Sequence, residues 1–371
     1  MEAANVTGPA KNLIRFAREN RGSVDLIILT FARGSQSPAN ATNPFIDAAR
    51  KADLAVHVIP EKRRFDFGVL PQLKRILSEC EPEVVQTHSV KSHFLLSMLH
   101  GPRPWIAFHH GYTDEDLKMR AYNLVDRYSL RKSDRVVTVC EAFVPQLQRC
   151  GVERGRIAIL HNSIDPAWGP SRQEIEELHT SLRFAPGVVR ILAIGRLSKE
   201  KGHDTLIKAL AEVRRQRPTL AFELLLVGGG PLLASLKELA KAEGIERLVR
   251  FIGQVGNVKP FFAVADMMVL PSLSEGSPNV VLEAMAARLP LIATRAGGVP
   301  EIVRDRETAL LAPPGNSRAL AGALIELMES PDLRSQLSAR AHDHVAAQFS
   351  PAHYDARLMN IYHQALAGAD A

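Results

Sequence analysis

The stretch Met267–Glu283, MMVLPSLSEGSPNVVLE, carries the densest pattern in this chain of 371 residues. An apolar strand, Met267–Leu270, runs into a Ser/Gly turn, and Pro278 suits the first residue of the helix that follows. Glu275 lies in the turn, and Glu283 lies inside the helix. Backbone N–H groups at a helix start bind anions, and carboxylates accept the paired hydroxyls of a sugar or ribose. The stretch therefore predicts a site for a phosphorylated, sugar-like ligand at the end of a strand.

A charged loop upstream has the same setting. The strand Arg190–Ile194 leads through Gly195 into RLSKEKG at 196–202, after which a second helix begins. Arginine offers a planar fork to phosphate oxygens, and lysine offers a compact point charge. Arg196 and Lys201 therefore suit a diphosphate, and a solvated charged turn is the alternative.

Working outward, short apolar runs alternate with segments of helical period along almost the whole chain. This alternation is typical of βαβ units, in which helices cover both faces of a parallel sheet. We therefore predict an α/β protein with two doubly wound domains. The predicted strands are Asp25–Thr30, Leu54–Ile59, Glu83–Thr87, Trp105–His109, Arg135–Val139, Arg156–Leu160, Arg190–Ile194, Phe222–Val227, Val249–Ile252, Met267–Leu270, Leu291–Thr294 and Ala309–Leu311.

One segment, Ser163–Gly187, interrupts the alternation with prolines, glycines and an acidic stretch. It is the predicted linker, so that a first domain spans residues 1–168 and a second spans 187–348. Residues 349–371 form a final helix with an apolar face that needs a packing partner. At the other end, Gly8-Pro9 reads as a turn that opens the first helix, so the strand expected before it is curtailed to seven residues.

The composition excludes several classes of protein. With 46% hydrophobic and 23% charged residues, the chain is neither disordered, collagen-like nor a disulfide scaffold. No apolar run is long enough to span a bilayer, and the N-terminus lacks a signal-peptide pattern. The three cysteines form no CxxC pair, so the cytoplasm is the default location. Dinucleotide, Walker and zinc signatures are absent, so we expect neither a cofactor nor a metal ion.

The net charge of +6 falls mostly in the first half of the chain, where residues 1–170 contribute +5. Such an excess indicates an anionic partner, which could be a phosphorylated ligand, a membrane surface or nucleic acid. The basic helix Leu117–Arg135 and the cluster Lys62–Arg64 could rest on anionic lipid, or the helix could simply cover a sheet. No nucleic-acid recognition module is recognisable, so nucleic acid is not expected. The oligomeric state is left open.

Polar side chains follow two predicted strands of the first half. FHHG at 108–111 puts His110 at the end of one strand, and THSVKS at 87–92 forms a second polar turn that contains Lys91. A hydrogen-bonded structural histidine and a ligand-contacting histidine fit this pattern about equally well. Metal binding is disfavoured because no partner ligands lie nearby.

Together these residues resemble the family-4 retaining glycosyltransferases of the GT-B fold. The resemblance covers nearly the whole chain and rests on the order and spacing of its motifs. It implies two Rossmann-like domains that face each other across a cleft, with the final helices crossing back to the first domain. The matching motifs are HNSID at 161–165, GRLSKEKG at 195–202, VGGGP at 227–231, EGSPNVVLE at 275–283 and GGVPE at 297–301.

The resemblance also implies a role for each matched residue. Arg196 and Lys201 would clamp the donor diphosphate, Glu275 would face the hydroxyls of the transferred sugar, and Glu283 would hold the nucleotide ribose. His110 would reach the sugar from the first domain and complete the catalytic set of His110, Glu275, Arg196 and Lys201. Gly8 and Lys91 would lie on the acceptor side. The donor-binding stretch between the two glutamates would be Gly276, Ser277, Pro278, Asn279 and Val280.

The implied function is transfer of a sugar from a nucleotide-diphosphate sugar to an acceptor hydroxyl, with retention of configuration and without a metal ion. The acceptor would be a glycan or a lipid-linked molecule in the synthesis of cell-surface polysaccharide or glycolipid. The protein would be cytoplasmic, with peripheral association to the inner face of the membrane as an option. A non-catalytic sugar-nucleotide-binding protein and another GT-B enzyme, such as a nucleotide-sugar epimerase, remain alternatives.

Overall fold

The computed structural model describes residues 8–33, 43–62, 66–99, 101–111 and 117–368, with side chains from residue 122 onward in the last range. The chain divides into two compact units. Unit 1 comprises Met1–Asn162 and Tyr354–Ala371, and unit 2 comprises Ser163–His353. Each unit is an α/β structure built on parallel strands.

Unit 1 alternates strands and helices along the chain. Its strands are β1 (Ile27–Arg33), β2 (Ala55–Glu61), β3 (Val85–Thr87), β4 (Trp105–His109), β5 (Arg135–Thr138) and β6 (Ile157–Ile159). Its helices are α1 (Gly8–Glu19), α2 (Pro44–Lys51), α3 (Val69–Cys80), α4 (Val90–Leu99), α5 (Leu117–Leu130) and α6 (Val144–Arg149).

The strands of unit 1 form two parallel sheets. Among the described residues, β1 pairs with β2, and the other four strands pair in the order β3-β4-β5-β6. A cavity of about 590 Å³ is lined by residues of both β1 and β3 and by apolar side chains from the end of the chain. The strand expected before Gly8 falls on residues 1–7, which lie outside the described residues.

The last helix of the chain, α15 (Pro351–Ala367), packs on unit 1. Its apolar face, which includes Leu358 and Ile361, lies in the same buried cluster as Phe16 of α1 and Ile106 of β4. Two hydrogen bonds of 2.6 and 3.0 Å join the guanidinium of Arg15 to the carboxylate of Asp355. The predicted return of the final helix to the first domain is therefore confirmed. The apolar face noted in the sequence buries against this domain.

Unit 2 continues the alternation. Its strands are β7 (Val189–Ile194), β8 (Phe222–Val227), β9 (Val249–Gly253), β10 (Met267–Leu270), β11 (Leu291–Thr294) and β12 (Leu310–Ala312). Its helices are α7 (Arg172–Leu182), α8 (His203–Gln216), α9 (Leu233–Ala242), α10 (Lys259–Val264), α11 (Asn279–Ala286), α12 (Val299–Ile302), α13 (Ser317–Glu329) and α14 (Pro331–Gln348).

One parallel sheet in the order β12-β11-β10-β7-β8-β9 forms the centre of unit 2. This is the doubly wound order of dinucleotide-binding folds. Side chains of successive strand residues point to opposite faces. Ile191 and Leu224 therefore face one core with α8, α9 and α13, whereas Leu192 and Leu225 face the other with α10, α11 and α14. Burial on both faces explains why these strands are apolar runs without polar alternation.

Each predicted strand has a counterpart whose ends agree within three residues. Three details differ. The prediction that Pro278 is the first helical residue was wrong, because its ψ of 114° is extended and α11 begins at Asn279. The basic helix predicted for Leu117–Arg135 ends at Leu130, and Arg135 begins β5. The segment predicted as a linker contains α7, whose apolar residues pack against the core of unit 2.

Candidate functional site

The strand order of unit 2 reverses between β7 and β10, which are neighbours in the sheet but not in the sequence. β7 ends at Ile194 and β10 ends at Leu270, so the loops that follow leave the same edge of the parallel sheet. Open α/β sheets bind ligands at this position, outside the carboxyl ends of the two strands. We call residues 195–202 the β7 loop and residues 271–278 the β10 loop.

Backbone contacts join these two loops. The N–H of Leu273 donates a hydrogen bond to the carbonyl of Glu200 at 2.8 Å. Gly202 has a φ of +63°, and a Cβ placed there would lie 2.2 Å from the carbonyl oxygen of Pro271. Glycine alone combines the left-handed conformation with such a close approach. Lys201, directly before this glycine, is therefore held against the β10 loop.

Lys201 and Glu275 form an ion pair in which Nζ donates to Oε1 at 2.8 Å. The hydroxyl of Ser272 donates to the same oxygen at 2.7 Å. Glu275 is buried, whereas the side chain of Lys201 keeps 26% of its exposure. Because an ammonium has three N–H donors, this pairing leaves Lys201 able to donate to a further oxygen. The structure thus brings together the lysine predicted for the diphosphate and the carboxylate predicted for the sugar.

Two consecutive glycines after β11 support Glu275 from its backbone side. The N–H of Gly298 donates to the carbonyl of Glu275 at 3.3 Å. Gly297 has a φ of +51°, and a Cβ there would lie 1.8 Å from the same carbonyl oxygen. The close approach explains why the first residue of the GGVPE motif is a glycine.

The glycine-rich turn after β8 supports the β7 loop in the same way. Gly228 has a φ of +143°, and a Cβ there would lie 1.9 Å from the carbonyl oxygen of Gly195. A Cβ on Gly230 would lie 2.5 Å from the carbonyl oxygen of Leu197. The VGGGP turn therefore packs against the backbone on both sides of Arg196, whose own position is exposed.

The other predicted donor-side residues lie at the start of α11. Gly276, Ser277 and Pro278 end the β10 loop, Asn279 and Val280 open the helix, and Glu283 follows one turn later. The N–H groups and the positive end of the dipole at a helix start favour anions. The Oδ1 atom of Asn279 is buried and accepts no hydrogen bond from the described residues, so it can accept one from a ligand.

A buried histidine lies beneath the β7 loop. His203 opens α8, and its Nε2 atom lies 3.8 Å from a Cβ placed on Gly195. Burial lowers the pKa of His203 to about 4, although the nearby backbone of Arg196 opposes this shift. His203 is therefore neutral at pH 7 and adds no charge to the loop.

In unit 1, two histidines follow neighbouring strands. His88 comes directly after β3 and His110 directly after β4, and these strands pair in parallel. Nδ1 of His88 and Nε2 of His110 lie 3.4 Å apart, with the two rings inclined by only 12°. Burial lowers the pKa of His110 to about 4 and lowers the pKa of His88 well below its ordinary value. Both imidazoles are therefore neutral at pH 7.

Asp126 on α5 anchors two further histidines. Its Oδ1 accepts a hydrogen bond of 2.5 Å from Nδ1 of His93, whose Nε2 lies 3.3 Å from the carbonyl of Thr87. Its Oδ2 lies 3.9 Å from Nδ1 of His109. Burial lowers the pKa of His109 to about 4 despite the opposing charge of Asp126. The carboxylate thus ties α4 and β4 together beside His110.

The two residues predicted for the acceptor side lie in different settings. Lys91 on α4 forms an ion pair with Glu61 of β2, and its Nζ lies 3.9 Å from the centre of the Phe31 ring. Both charged side chains are almost fully buried, so any acceptor contact by Lys91 must share its donors with Glu61. Gly8 is the first residue of α1.

Sequence reasoning missed His88 as the partner of His110, and it missed Glu61 as the partner of Lys91. The polar turn at 87–92 signalled the first pair, but only the register of β3 against β4 shows that the two histidines meet. Glu61 gave no signal, because a charged residue at a strand end is usually solvated. Within the described ranges, no three His, Cys, Asp or Glu side chains are grouped so as to hold a metal ion.

Two family descriptions match the chain in consecutive segments. "Glycosyltransferase Family 4" matches residues 10–168, and "Glycosyl transferases group 1" matches residues 174–344. The N-acetyl-alpha-D-glucosaminyl L-malate synthase of Bacillus anthracis is 28% identical over 66% of this chain and 63% of its own length. The lipopolysaccharide core biosynthesis glycosyltransferase LpsE of Rhizobium meliloti is 32% identical over 43% of this chain and 45% of its own length. The matches thus span less than two thirds of these relatives.

Solved structures extend the similarity to almost the whole chain. The Anabaena protein HepE in complex with UDP superposes with a TM-score of 0.80 at 19% identity, covering 97% of both chains. A glycosyltransferase from Rickettsia africae superposes with a TM-score of 0.79 at 18% identity, covering 99% of this chain and 97% of its own. At this level of identity, the similarity shows a shared fold.

Proposed function

Because this chain belongs to the family-4 glycosyltransferases and has their GT-B fold, we propose that it moves a sugar from a nucleoside-diphosphate sugar to an acceptor hydroxyl. The observation that carries the proposal is the contact of Lys201 with Glu275, made where the strand order of unit 2 reverses. It sets a cation for the diphosphate beside a carboxylate for sugar hydroxyls. Exposed Arg196 and the start of α11 add donors around the same loops.

In the proposed reaction, the bond between the anomeric carbon and the diphosphate breaks and the acceptor oxygen bonds to that carbon. Negative charge accumulates on the departing phosphate, so positive groups already in place lower the barrier. Lys201, Arg196 and the α11 start supply that charge from the protein itself. The proposed reaction therefore requires no metal ion.

Retention of configuration is part of the proposal. If the leaving phosphate oxygen takes the acceptor's proton on the same face of the sugar, retention follows without a covalent intermediate on the protein. In this proposal the carboxylate of Glu275 accepts sugar hydroxyls rather than attacking the sugar, and Lys201 and Ser272 hold its Oε1 atom. This arrangement differs from that of retaining glycosidases, in which a carboxylate attacks the sugar.

The setting of the reaction is also proposed. The relative LpsE is named for lipopolysaccharide core biosynthesis, which supports a glycan or lipid-linked acceptor in cell-surface synthesis. In the described residues, no helix is both long and apolar enough to cross a membrane. On α5, Leu124 and Tyr128 are 66% and 56% exposed within a basic stretch. Such a surface supports peripheral binding to an anionic membrane, which co-sedimentation with anionic vesicles at low salt would test.

Donor binding and turnover test the function. We expect one of a panel of UDP-, GDP- and ADP-sugars to stabilise the chain, by about 2.7 kcal/mol at 100 times its dissociation constant. UDP-sugars are the first donors to test, because HepE was solved in complex with UDP. Calorimetry should show nucleotide affinity falling about tenfold or more in Glu283→Ala, since a lost hydrogen bond to a charged group costs about 1.5–3 kcal/mol. The exposed Glu238 of α9, replaced by alanine, is the control.

The outcomes separate the alternatives. Release of free nucleoside diphosphate together with a glycosylated acceptor supports the transferase. Binding of a donor that is never consumed with any glycan or lipid acceptor would make the chain a sugar-nucleotide-binding protein. Conversion of the donor sugar without transfer would indicate an epimerase. Absence of stabilisation by every nucleotide sugar would overturn the donor site.

A further inference from the structure

The histidine pair of unit 1 has two unused ring nitrogens. Nε2 of His88 and Nδ1 of His110 are buried, and neither makes a hydrogen bond with any described residue. The inner atoms, Nδ1 of His88 and Nε2 of His110, face each other at 3.4 Å. This distance is long for a hydrogen bond, but such contacts in unliganded sites often tighten when substrate binds.

The ring planes are fixed by packing. The ring of Phe108 stacks on that of His88, with centroids 4.4 Å apart and planes inclined by 24°. The rings of His88 and His110 have centroids 5.7 Å apart and are almost parallel. Side-by-side rings in one plane direct the inner nitrogens at each other. His88 thus cannot tilt out of the plane of the His110 ring without losing its stacking partner.

Neutrality couples the two tautomers. Burial lowers the pKa values of both histidines, so each ring carries one proton at pH 7. A hydrogen bond between the rings needs one inner nitrogen protonated and the other bare. The two outer nitrogens then differ. The ring whose inner nitrogen donates has an unprotonated outer nitrogen, and the ring whose inner nitrogen accepts has a protonated outer nitrogen.

The surroundings of His88 decide which of the two arrangements is favoured. His88 lines the cavity of unit 1 together with apolar side chains such as Leu29, Leu73 and Leu96, whereas His110 is not one of its lining residues. A buried N–H without an acceptor is costlier than a bare acceptor, so the outer proton is favoured on the ring whose N–H a ligand oxygen can accept. The outer nitrogen of His88 should therefore be bare, and its Nδ1–H should donate to His110. The proton of His110 then lies on Nδ1, where it can be donated to a ligand oxygen.

We propose that His88 is a positioning residue that holds His110 as the Nδ1–H tautomer, so that His110 presents a hydrogen-bond donor to a substrate hydroxyl. The inference rests on the proposed function only for the identity of that substrate. Which nitrogen of a histidine carries the proton is set by the hydrogen bond that the other nitrogen makes. His88 provides that bond here.

The tautomer can be measured directly and without substrate. In protein with ¹⁵N-labelled histidine, long-range ¹H–¹⁵N spectra distinguish a protonated ring nitrogen from a bare one. We expect Nδ1 of His110 to be protonated in the wild type and to lose this preference in His88→Leu. His88→Asn should keep it, because the asparagine amide can donate from the position of Nδ1. The exposed His57, replaced by leucine, is the control.

Kinetics supply the second readout. We expect His88→Leu to lower kcat about 10–100-fold, as the loss of groups that orient metal-binding histidines does, with little change in the donor KM. His88→Asn should restore most of this loss. In a His110→Ala background, His88→Leu should cost little more, because interacting residues are not additive.

An unchanged His110 tautomer in His88→Leu, or an Nε2–H tautomer in the wild type, would overturn the proposal even if sugar transfer is observed. Equal kinetic losses with and without His110 would reduce His88 to a packing residue. If the tautomer responds as expected but no nucleotide sugar is turned over, the proposed function fails and the histidine coupling stands.

Discussion

The two units build their polar sites by different means. In unit 2, backbone contacts at glycines hold the loops together, and two charged side chains meet where those loops touch. In unit 1, side chains hold one another, and the residues at the strand ends are neutral imidazoles within a buried network. A site fixed by the backbone depends on residues without a side chain, whereas a site fixed by side chains depends on their protonation.

The difference also separates the electrostatic tasks. Lys201 keeps part of its exposure and faces a carboxylate, an arrangement suited to a ligand that carries both phosphate and hydroxyl groups. In unit 1, the charged pair of Lys91 with Glu61 is almost fully buried and compensates itself. Loss of a charge should therefore affect turnover most in unit 2.

The largest expected effect tests that statement. Lys201→Ala removes a cation from the developing phosphate charge, so kcat should fall about 10²–10³-fold, the usual cost of one such contact. Steady-state release of nucleoside diphosphate measures it. Lys208→Ala is the matched control, because this lysine of α8 is half-exposed and lies 3.9 Å from Asp204 in a surface pair. A near-normal rate in Lys201→Ala would contradict the proposal that a positive charge in unit 2 stabilises the departing phosphate.

The next effect tests the role of the backbone. In Gly228→Ala, the new Cβ would lie 1.9 Å from the carbonyl oxygen of Gly195, at a φ of +143°. Overpacking and backbone strain should each cost about 1–3 kcal/mol, lowering the melting temperature and displacing the β7 loop.

The adjacent glycine provides the control. A Cβ on Gly229 would meet only side-chain atoms of Gln254 at 3.7 Å or beyond, an ordinary contact. Gly229→Ala should therefore melt close to the wild type and keep its nucleotide affinity. Similar losses in the two variants would show that the turn after β8 does not hold its neighbour by close approach.

The same difference between the units explains which features of each site can be predicted from the sequence. In unit 2, the motifs contain glycines at the points where two backbones touch, so Gly228 and Gly297 mark the loops from the sequence alone. The two faces of the sheet follow from continuous apolar strands such as Met267–Leu270. The ion pair of Lys201 with Glu275 does not follow, because it depends on which strands become neighbours.

The site of unit 1 is harder to predict from the sequence, for a physical reason. Its strands are as predictable as those of unit 2, but its site depends on contacts between side chains from separate elements. His88 pairs with His110, and His93 pairs with Asp126, only because β3, β4, α4 and α5 converge. A histidine at a strand end has the same sequence signature whether it contacts solvent, a ligand or another histidine.

The smallest expected effect is the loss of folding stability as the pH falls. Burial lowers the pKa of His88, His109 and His110 in unit 1, with the last two at about 4. The unfolded chain binds these protons near pH 6.5, so it gains protons before the folded state does, and stability falls as the pH drops from 6.5 towards 4. Unit 2 has fewer such groups, namely His203 and the less buried His344.

Between pH 7 and pH 6, each such histidine should cost less than about 1 kcal/mol, because only the upper end of its window is crossed. Hydrogen exchange resolves the effect by region, since local and global opening free energies appear in the protection factors. Amides of β3 and β4 should lose more protection than those of β7 and β8, once the intrinsic pH dependence of exchange is removed. Equal losses of protection in the two pairs of strands would mean that the buried imidazoles of unit 1 do not set its acid sensitivity. The two sites would then differ in how the backbone holds them but not in their response to pH.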